Sequence, residues 1–262
     1  MFEAPRNKFN AAPQYQPILR ELGFDAEAVF THPDIVVWRK VTERENCTQD
    51  ATLSDGRKIR LHIKRYHPVR AGVSPADDEA RGIRALMIEQ IATAPLVGWG
   101  TMIDGRSFLI TEDLYGYWPA DKLVAGDFAF ENLLLPTADM VAKLHNAGLH
   151  HRDLYLCHFF VKTQEKTLFL ALIDAARVKR LPGWPLRNRW IVKDLAQFWF
   201  STTKLPVTPS QRLRWLARYA EQRGLKSHES LLVQIQTKAA RIARHDVKLN
   251  QKQSDRNVSI SH

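Results

Sequence analysis

Two cysteines in 262 residues, Cys47 and Cys157, are too few and too far apart for a disulfide scaffold, so a reduced cytosolic chain is the expectation. No apolar run approaches the roughly 18 residues needed to cross a bilayer. Residues 1–16 are polar and proline-bearing, without the apolar stretch of a secretory signal. There is no internal repeat and no low-complexity block. Acidic charge is also short, with 28 Asp and Glu against 38 Lys and Arg and a formal net charge of +10. Much of the surplus lies between residues 211 and 253, where ten Lys or Arg meet three Asp or Glu. Such a stretch suits nucleic acid, anionic lipid or a phosphorylated substrate, and equally a solvated helical face; charge alone does not choose. No nucleic-acid reading motif accompanies it.

What is present is enough apolar sequence, 45% of the chain, to bury the core of one two-lobed domain or two small ones. The first part reads as strands with one helix. Residues 35–40 (IVVWRK) are rich in β-formers, and Ser54-Asp55-Gly56 is a hairpin signal. In residues 57–64, Ile59, Leu61 and Ile63 alternate with Lys58, Arg60 and His62, which predicts one buried face and puts Lys64 at the strand's end. Ser74 is an N-cap candidate with Pro75 at the first helical position; Ala80, Ile83, Met87 and Ile91 follow at helical spacing. Strand-like stretches at 96–102 and 107–111 flank an Asp104-Gly105 turn. From Asp127 the pattern is mainly helical. Pro136 is expected to interrupt it, with a helix over 137–146 stopped by Gly148. A hairpin at 159–162 and 168–173 and helices at 191–201, 210–223 and 230–244 complete an α+β chain of two unequal lobes.

The densest polar constellation is the loop His150-His151-Arg152-Asp153-Leu154-Tyr155-Leu156-Cys157-His158, between a helix stop and an apolar strand. Further on, Asp174 ends the apolar run 168–173, and a carboxylate at a buried strand end needs a cation or metal partner. Phosphoryl transfer asks for this kind of set. Asp153 can orient the attacking hydroxyl and take its proton, Asp174 can hold Mg²⁺, and Lys64 can neutralise the phosphates. Glu79, on the following helix, can hold that lysine; Arg65 in place of Lys64, and Asp77 or Asp78 in place of Glu79, remain open. His150, His151, Cys157 and His158 are close in sequence, but no second spaced ligand pair exists, which disfavours structural zinc. His145 reads as a packing residue and His151 as a brace for the loop. The aromatic residues Trp184, Trp190, Phe198, Trp199 and Phe200 read as core.

HHRDLYLCHFF (150–160) resembles the catalytic loop of the protein kinase superfamily, with His158 where those enzymes carry asparagine. With Tyr-x-Cys-His around it, the loop is similar to that of the lipopolysaccharide core kinase family, the WaaP/InaA group. Ile110-Thr111-Glu112-Asp113-Leu114 and Lys193-Asp194-Leu195 also look like that family, and the resemblance covers about residues 35–203. It implies a protein-kinase-like fold: a β-rich N-lobe over 1–111, a hinge at 112–115 and a mainly helical C-lobe over 116–262. It further implies ATP and Mg²⁺ as cofactors, and a lipid-linked glycan as acceptor, often at a heptose. The setting implied is the cytoplasm, with peripheral contact to an anionic membrane at the inner face of the inner membrane; no nucleic acid is expected. Carried over by position, Asp153 is the catalytic aspartate and Asp174 the metal aspartate. His158 sits at the second metal-ligand position, Lys64 and Glu79 form the ion pair, and the backbone at Glu112 and Leu114 meets the adenine edge. ATP is expected between the lobes.

Three departures stand out. Residues 40–46 contain no glycine, so the usual phosphate-covering loop is missing; Ala175-Ala176 follows Asp174 in place of Phe-Gly. His158 is a poorer Mg²⁺ ligand than an amide oxygen, and binding a phosphate oxygen or positioning Asp153 are its other uses. Residues 177–189 are basic, either to grip acidic groups of an acceptor or as a solvated stretch. The rival readings are a kinase of another small-molecule or protein hydroxyl, and a pseudokinase-type binding protein.

Overall fold

The computed structural model describes residues 7–70 and 72–252. The expectations placed on residues 1–6 and on position 253 lie outside that range. The chain forms two compact units: one runs up to Gly116 and includes Ala171–Val178, and the other comprises Tyr117–Leu170 and the chain from Lys179 onward.

In the first unit the elements are β1 (Lys8–Ala11), α1 (Gln16–Glu21), α2 (Ala28–Thr31), β2 (Val36–Val41), β3 (Arg44–Thr52), β4 (Lys58–Tyr66), α3 (Pro75–Ile88), β5 (Leu96–Thr101) and β6 (Ser107–Glu112). The strands make one antiparallel sheet in the order β1-β5-β6-β4-β3-β2. The β3–β4 hairpin turns where Gly56 takes a φ of 84° and donates to Leu53 O at 2.9 Å. The alternation in β4 is real: Ile59, Leu61 and Ile63 are buried, packed in one core with Leu19, Phe24 and Val29 from the N-terminal segment. That segment, with β1, α1 and α2, is absent from the sequence reading, because elements of four to six residues are too short to show a period. In α3, Ser74 caps as expected, its Oγ accepting from the Asp77 N–H at 3.1 Å. Met87 is 48% exposed, however; Leu86 takes the buried position, and Ile91 lies past the helix end.

The second unit contains β7 (Trp118–Pro119), α4 (Ala120–Ala125), α5 (Glu131–Asn146), β8 (Leu149–His150), β9 (Phe159–Gln164), β10 (Thr167–Leu172), β11 (Lys179–Arg180), α6 (Leu186–Thr202), α7 (Pro209–Gln222) and α8 (Glu229–Lys252). Pro136 does not interrupt: it sits inside α5. An internal proline costs about 3 kcal/mol, but the turns on both sides bury Leu133, Leu134, Ala138 and Val141, each leucine contributing roughly 1.5–3 kcal/mol. The Thr137 hydroxyl donates to Leu133 O at 2.6 Å, serving a carbonyl in the turn that proline disturbs. The core is built on Phe198 stacked on Trp215 (4.2 Å between centroids), with Trp215 Nε1 donating to Thr137 Oγ1 at 2.9 Å. Phe198 and Trp199 are buried as expected, whereas Trp184 is 92% exposed and belongs to no core. Part of the basic surplus of α7 is consumed internally. Arg218 pairs with Asp139 at 2.6 Å and with Glu221 at 2.9 Å, and Arg214 pairs with Glu131. Both cysteines are free thiols.

Candidate active-site groups

The first unit assembles a lysine and two carboxylates. On β4, Lys64 projects from the face opposite the core, and its Nζ donates to Glu79 Oε1 at 2.5 Å and to Asp174 Oδ1 at 3.4 Å. Arg65 points the other way, into the buried side, where its Nε donates to Val29 O at 2.7 Å. Asp78 pairs with Arg81. Of the residues left open, Lys64 is thus the one that meets Glu79, while Arg65 lies on the buried side and Asp78 is engaged by Arg81. Glu79 is 3% exposed, and its second oxygen accepts from the buried Tyr66 hydroxyl at 2.5 Å. Burial opposes the Lys64 charge, but the Glu79 and Asp174 carboxylates outweigh it and raise its pKa, so the ammonium is kept. Tyr66 is pushed up by burial, then by Glu79, and stays a donor.

Asp174 occupies a left-handed conformation (φ 60°, ψ 57°) and leads into a 3-10 turn, Ala175–Arg177. This turn lies tightly on α3 at Gly82: a Cβ there would stand 2.0 Å from the Ala175 carbonyl oxygen. On the other side, the Leu172 N–H donates to Ala92 O at 2.8 Å. The missing Cβ of Gly82 is what lets the backbone of this turn pack on the helix here.

Residues 40–46, expected as a glycine-free loop, are mostly strand. Val41 pairs with Arg44, leaving Thr42 and Glu43 as the turn, and both of their carbonyls accept from His67 at 3.0 Å. Cross-strand pairing puts Arg44 opposite Tyr66 and Asn46 opposite Lys64, so Arg44, Asn46, Lys64 and Tyr66 share one face. At the end of β6, the Glu112 N–H donates to Pro95 O and the Asp113 N–H to Arg60 O, while the Glu112 carboxylate accepts the Tyr15 hydroxyl. Leu114 donates no backbone hydrogen bond among the described residues. His62, on the Lys64 face of β4, bonds the Asp113 carboxylate at 2.7 Å.

The second unit holds Asp153 and His158 in a loop organised by one face of α6. Asp194, fully buried, accepts from the His151 N–H at 2.7 Å and the Arg152 N–H at 2.8 Å, and Lys193 Nζ donates to Arg152 O at 2.7 Å. One turn on, Gln197 Oε1 accepts from the Leu154 N–H at 3.2 Å and its Nε2 donates to Asp153 Oδ1 at 3.4 Å; Ser201 Oγ accepts from the Leu156 N–H at 3.0 Å. Burial alone would raise the Asp194 pKa; hydrogen bonds and charge from His145 and His151 reverse that, and the net shift is down. Of these supports, Lys193 and Asp194 belong to a stretch singled out from the sequence, and without a role. The signal for the others was available: polar residues at 194, 197 and 201 lie three and four apart among the apolar positions Leu195, Ala196, Phe198, Trp199 and Phe200. His158 Nδ1 donates to the Asp153 backbone carbonyl at 2.7 Å, since a carbonyl can only accept, so this histidine ties down the aspartate's own peptide. His145 is a buried packing residue, as expected, bonded to the Tyr219 hydroxyl at 2.8 Å. His151 is buried.

Residues 36–219 match the model of the lipopolysaccharide kinase (Kdo/WaaP) family. The lipopolysaccharide core heptose(I) kinase WaaP of Escherichia coli (strain K12) is 29% identical over 205 residues, covering 71% of this chain and 77% of the relative. The enzyme of the same name from Pseudomonas aeruginosa PAO1 is 32% identical over 191 residues, covering 64% and 68%. With a β-rich first part, a helical second part and a match across most of its length, the chain belongs to the lipopolysaccharide kinase (Kdo/WaaP) family and is a phosphotransferase of protein-kinase-like fold.

Proposed function

We propose that this chain transfers the γ-phosphoryl group of ATP to a sugar hydroxyl of the lipopolysaccharide inner core, a heptose being the first candidate because the curated relatives are named for it. The observation that carries the reading is the Lys64–Glu79–Asp174 array in a chain of this family. Lys64, its charge secured by two carboxylates, meets the non-transferred phosphates. Arg44, on the same sheet face and without a salt-bridge partner among the described residues, adds a second cation where a glycine-rich loop is missing. The unclaimed Leu114 N–H, with backbone carbonyls beside it, takes the base edge.

Asp174 offers hard carboxylate oxygen and sits beside a buried acid–lysine pair, which suits Mg²⁺. Bound there, the ion would supply charge neutralisation on the phosphates. Asp153 orients the acceptor hydroxyl and takes its proton as the sugar oxygen–phosphorus bond forms and the bond to the leaving ADP oxygen breaks. His158 and Gln197 hold Asp153 in place. Arg177, the first basic residue after Asp174, meets a phosphate or carboxylate group of the acceptor. No helix among the described residues is long and apolar enough to cross a membrane. In this reading the lipid-linked acceptor is met at the surface of the inner membrane, on the ATP-bearing cytoplasmic side.

Purified protein with Mg²⁺-ATP and lipopolysaccharide core acceptors should incorporate labelled phosphate. Asp153→Asn should lower the rate by on the order of 10²–10⁴-fold with the fold intact, the range typical of a lost general base. Full activity in that variant would remove Asp153 from the chemistry. ATP binding with no transfer to any acceptor would favour a binding protein instead.

A further inference from the structure

Residues 179–189 read Lys-Arg-Leu-Pro-Gly-Trp-Pro-Leu-Arg-Asn-Arg, an apolar run with basic residues on both sides. Its two ends are anchored. β11 pairs with β8, the Leu181 N–H donates to Gly148 O at 2.7 Å, and the Arg187 N–H donates to Gly183 O at 3.2 Å. Asn188 Nδ2 donates to Gln234 Oε1 on α8 at 2.9 Å. The tip between these anchors is not folded inward. Trp184 is 92% exposed, Leu186 is 51% exposed, and Val233, next to Gln234 on α8, is 63% exposed. Nearby Trp190 shows what a satisfied tryptophan looks like in this unit: its ring meets His150 at 4.9 Å and lies under Arg152 at 4.5 Å. Trp184 makes no such contact among the described residues. Lys179, Arg180, Arg187 and Arg189 are exposed and form no salt bridge among the described residues.

We propose that residues 181–186 form a wedge that inserts Trp184 and Leu186 into the interfacial layer of an anionic membrane, with Lys179, Arg180, Arg187 and Arg189 on the headgroup phosphates. The chemistry favours lipid over other occupants. A carbohydrate platform needs hydrogen-bonding side chains around the ring, and in residues 181–186 the indole N–H is the sole side-chain donor. An indole, apolar with one polar edge, settles where hydrocarbon meets water. An apolar tip or a basic cluster alone binds membranes weakly, and the two together make an effective surface anchor. The wedge deepens the reading of a lipid-linked acceptor and rests on it for its setting, since it would hold the enzyme at the surface where such an acceptor is embedded.

The test is co-sedimentation of the full chain with phosphatidylcholine vesicles, with and without phosphatidylglycerol, comparing the wild type with the double variant Trp184→Ser, Leu186→Ser. Both positions are exposed, so folding should survive, and circular dichroism checks it. The wild type should bind the anionic vesicles, less so at high salt, and the variant should bind them on the order of tenfold or more weakly. Trp184→Phe should restore part of the affinity. Phosphate transfer to a soluble, delipidated core oligosaccharide should be equal in the two proteins. Equal vesicle binding by wild type and variant, or none by either, overturns the wedge. So does loss of transfer to the soluble sugar in the variant, which would make Trp184 an acceptor contact, or a wild-type dimer that the variant abolishes. A wild type that binds vesicles yet phosphorylates no acceptor would refute the kinase substrate and leave the wedge standing.

Discussion

Asp194 holds Arg152 by its backbone: the Asp194 Oδ1 accepts the Arg152 N–H at 2.8 Å while Arg152 keeps a φ of 69°, a conformation unfavourable for any residue with a Cβ. The other oxygen takes the His151 N–H, and Lys193 takes the Arg152 carbonyl. The strained residue just ahead of Asp153 is thus secured at both of its backbone polar groups by adjacent residues of α6. Asp194→Asn would turn an NH₂ group toward one of the two N–H donors and leave that donor buried and unpaired, costing about 2–3 kcal/mol. At this chain length the melting temperature should fall by roughly 4–10 °C. The kcat should fall at least about tenfold with the nucleotide dissociation constant unchanged, because Lys64 and Asp174 are untouched. A variant with lowered melting temperature and normal kcat would show that Asp194 stabilises the loop without positioning Asp153.

At Gly82 two effects compete. An alanine in the middle of a helix is worth about 1 kcal/mol over glycine. The new Cβ, however, would stand 2.0 Å from the Ala175 carbonyl oxygen, which is backbone in a turn closed by the Val178 N–H at 3.0 Å. Overpacking against backbone costs about 1–3 kcal/mol, so Gly82→Ala should be net destabilising despite its better helix propensity. It should also displace the segment that carries Asp174, raising the Mg²⁺ concentration needed for half-maximal activity. A raised melting temperature with unaltered Mg²⁺ dependence would mean that α3 and the turn separate freely.

The groups proposed to do chemistry were legible because chemistry constrains such groups in short spacings: the loop around Asp153, the carboxylate that ends an apolar run, the lysine at a strand end. What was not legible depends on partners far apart in the sequence. Nothing local says that Tyr15 will meet Glu112, or that Gln197 and Ser201 will serve amides some 45 residues upstream. Pro136 was read by its backbone rule, and burial on both sides of it prevailed. Trp184 follows average tryptophan behaviour in a reading of the sequence alone, whereas its ring stands out in solvent. Gly82 raised no expectation at all, since a helical glycine shows its purpose only once Ala175 is packed on it.

Arg44 should matter for the nucleotide and little for folding. It lies on the Lys64 face of the sheet, its Nε donating to Asn46 Oδ1 at 3.1 Å. The Thr42-Glu43 turn beside it has its carbonyls engaged by His67, and no glycine lets backbone amides wrap a phosphate there. A charge-assisted hydrogen bond to a phosphate contributes about 1.5–3 kcal/mol. Arg44→Gln should therefore raise the KM for ATP on the order of tenfold while kcat changes less than threefold or so. Arg44→Lys should recover part of the loss. An unchanged KM would leave Lys64 as the cation that meets the phosphates from this sheet.

The buried imidazole of His150 should set an acid limit on stability. Burial is the main cause of its shift, aided by Arg152, His145 and Lys193 and opposed by Asp194, and together these push its pKa down from 6.5 to about 4. The neutral ring is the form that packs on Trp190. The sign follows from proton binding: between pH 6.5 and about 4 the unfolded chain holds a proton that the native one excludes, so stability is retained above pH 6.5 and falls as pH drops toward 4. The full shift corresponds to on the order of 3 kcal/mol. His150→Phe keeps an aromatic ring in contact with Trp190 and removes the titration. Urea unfolding at pH 7 and at pH 5 should show a smaller loss of stability in His150→Phe than in the wild type. Equal losses would assign the acid sensitivity to other groups, with Asp194 and its two backbone donors the next to examine, because that carboxylate's pKa is held down in the fold and protonating it would release the peptide ahead of Asp153.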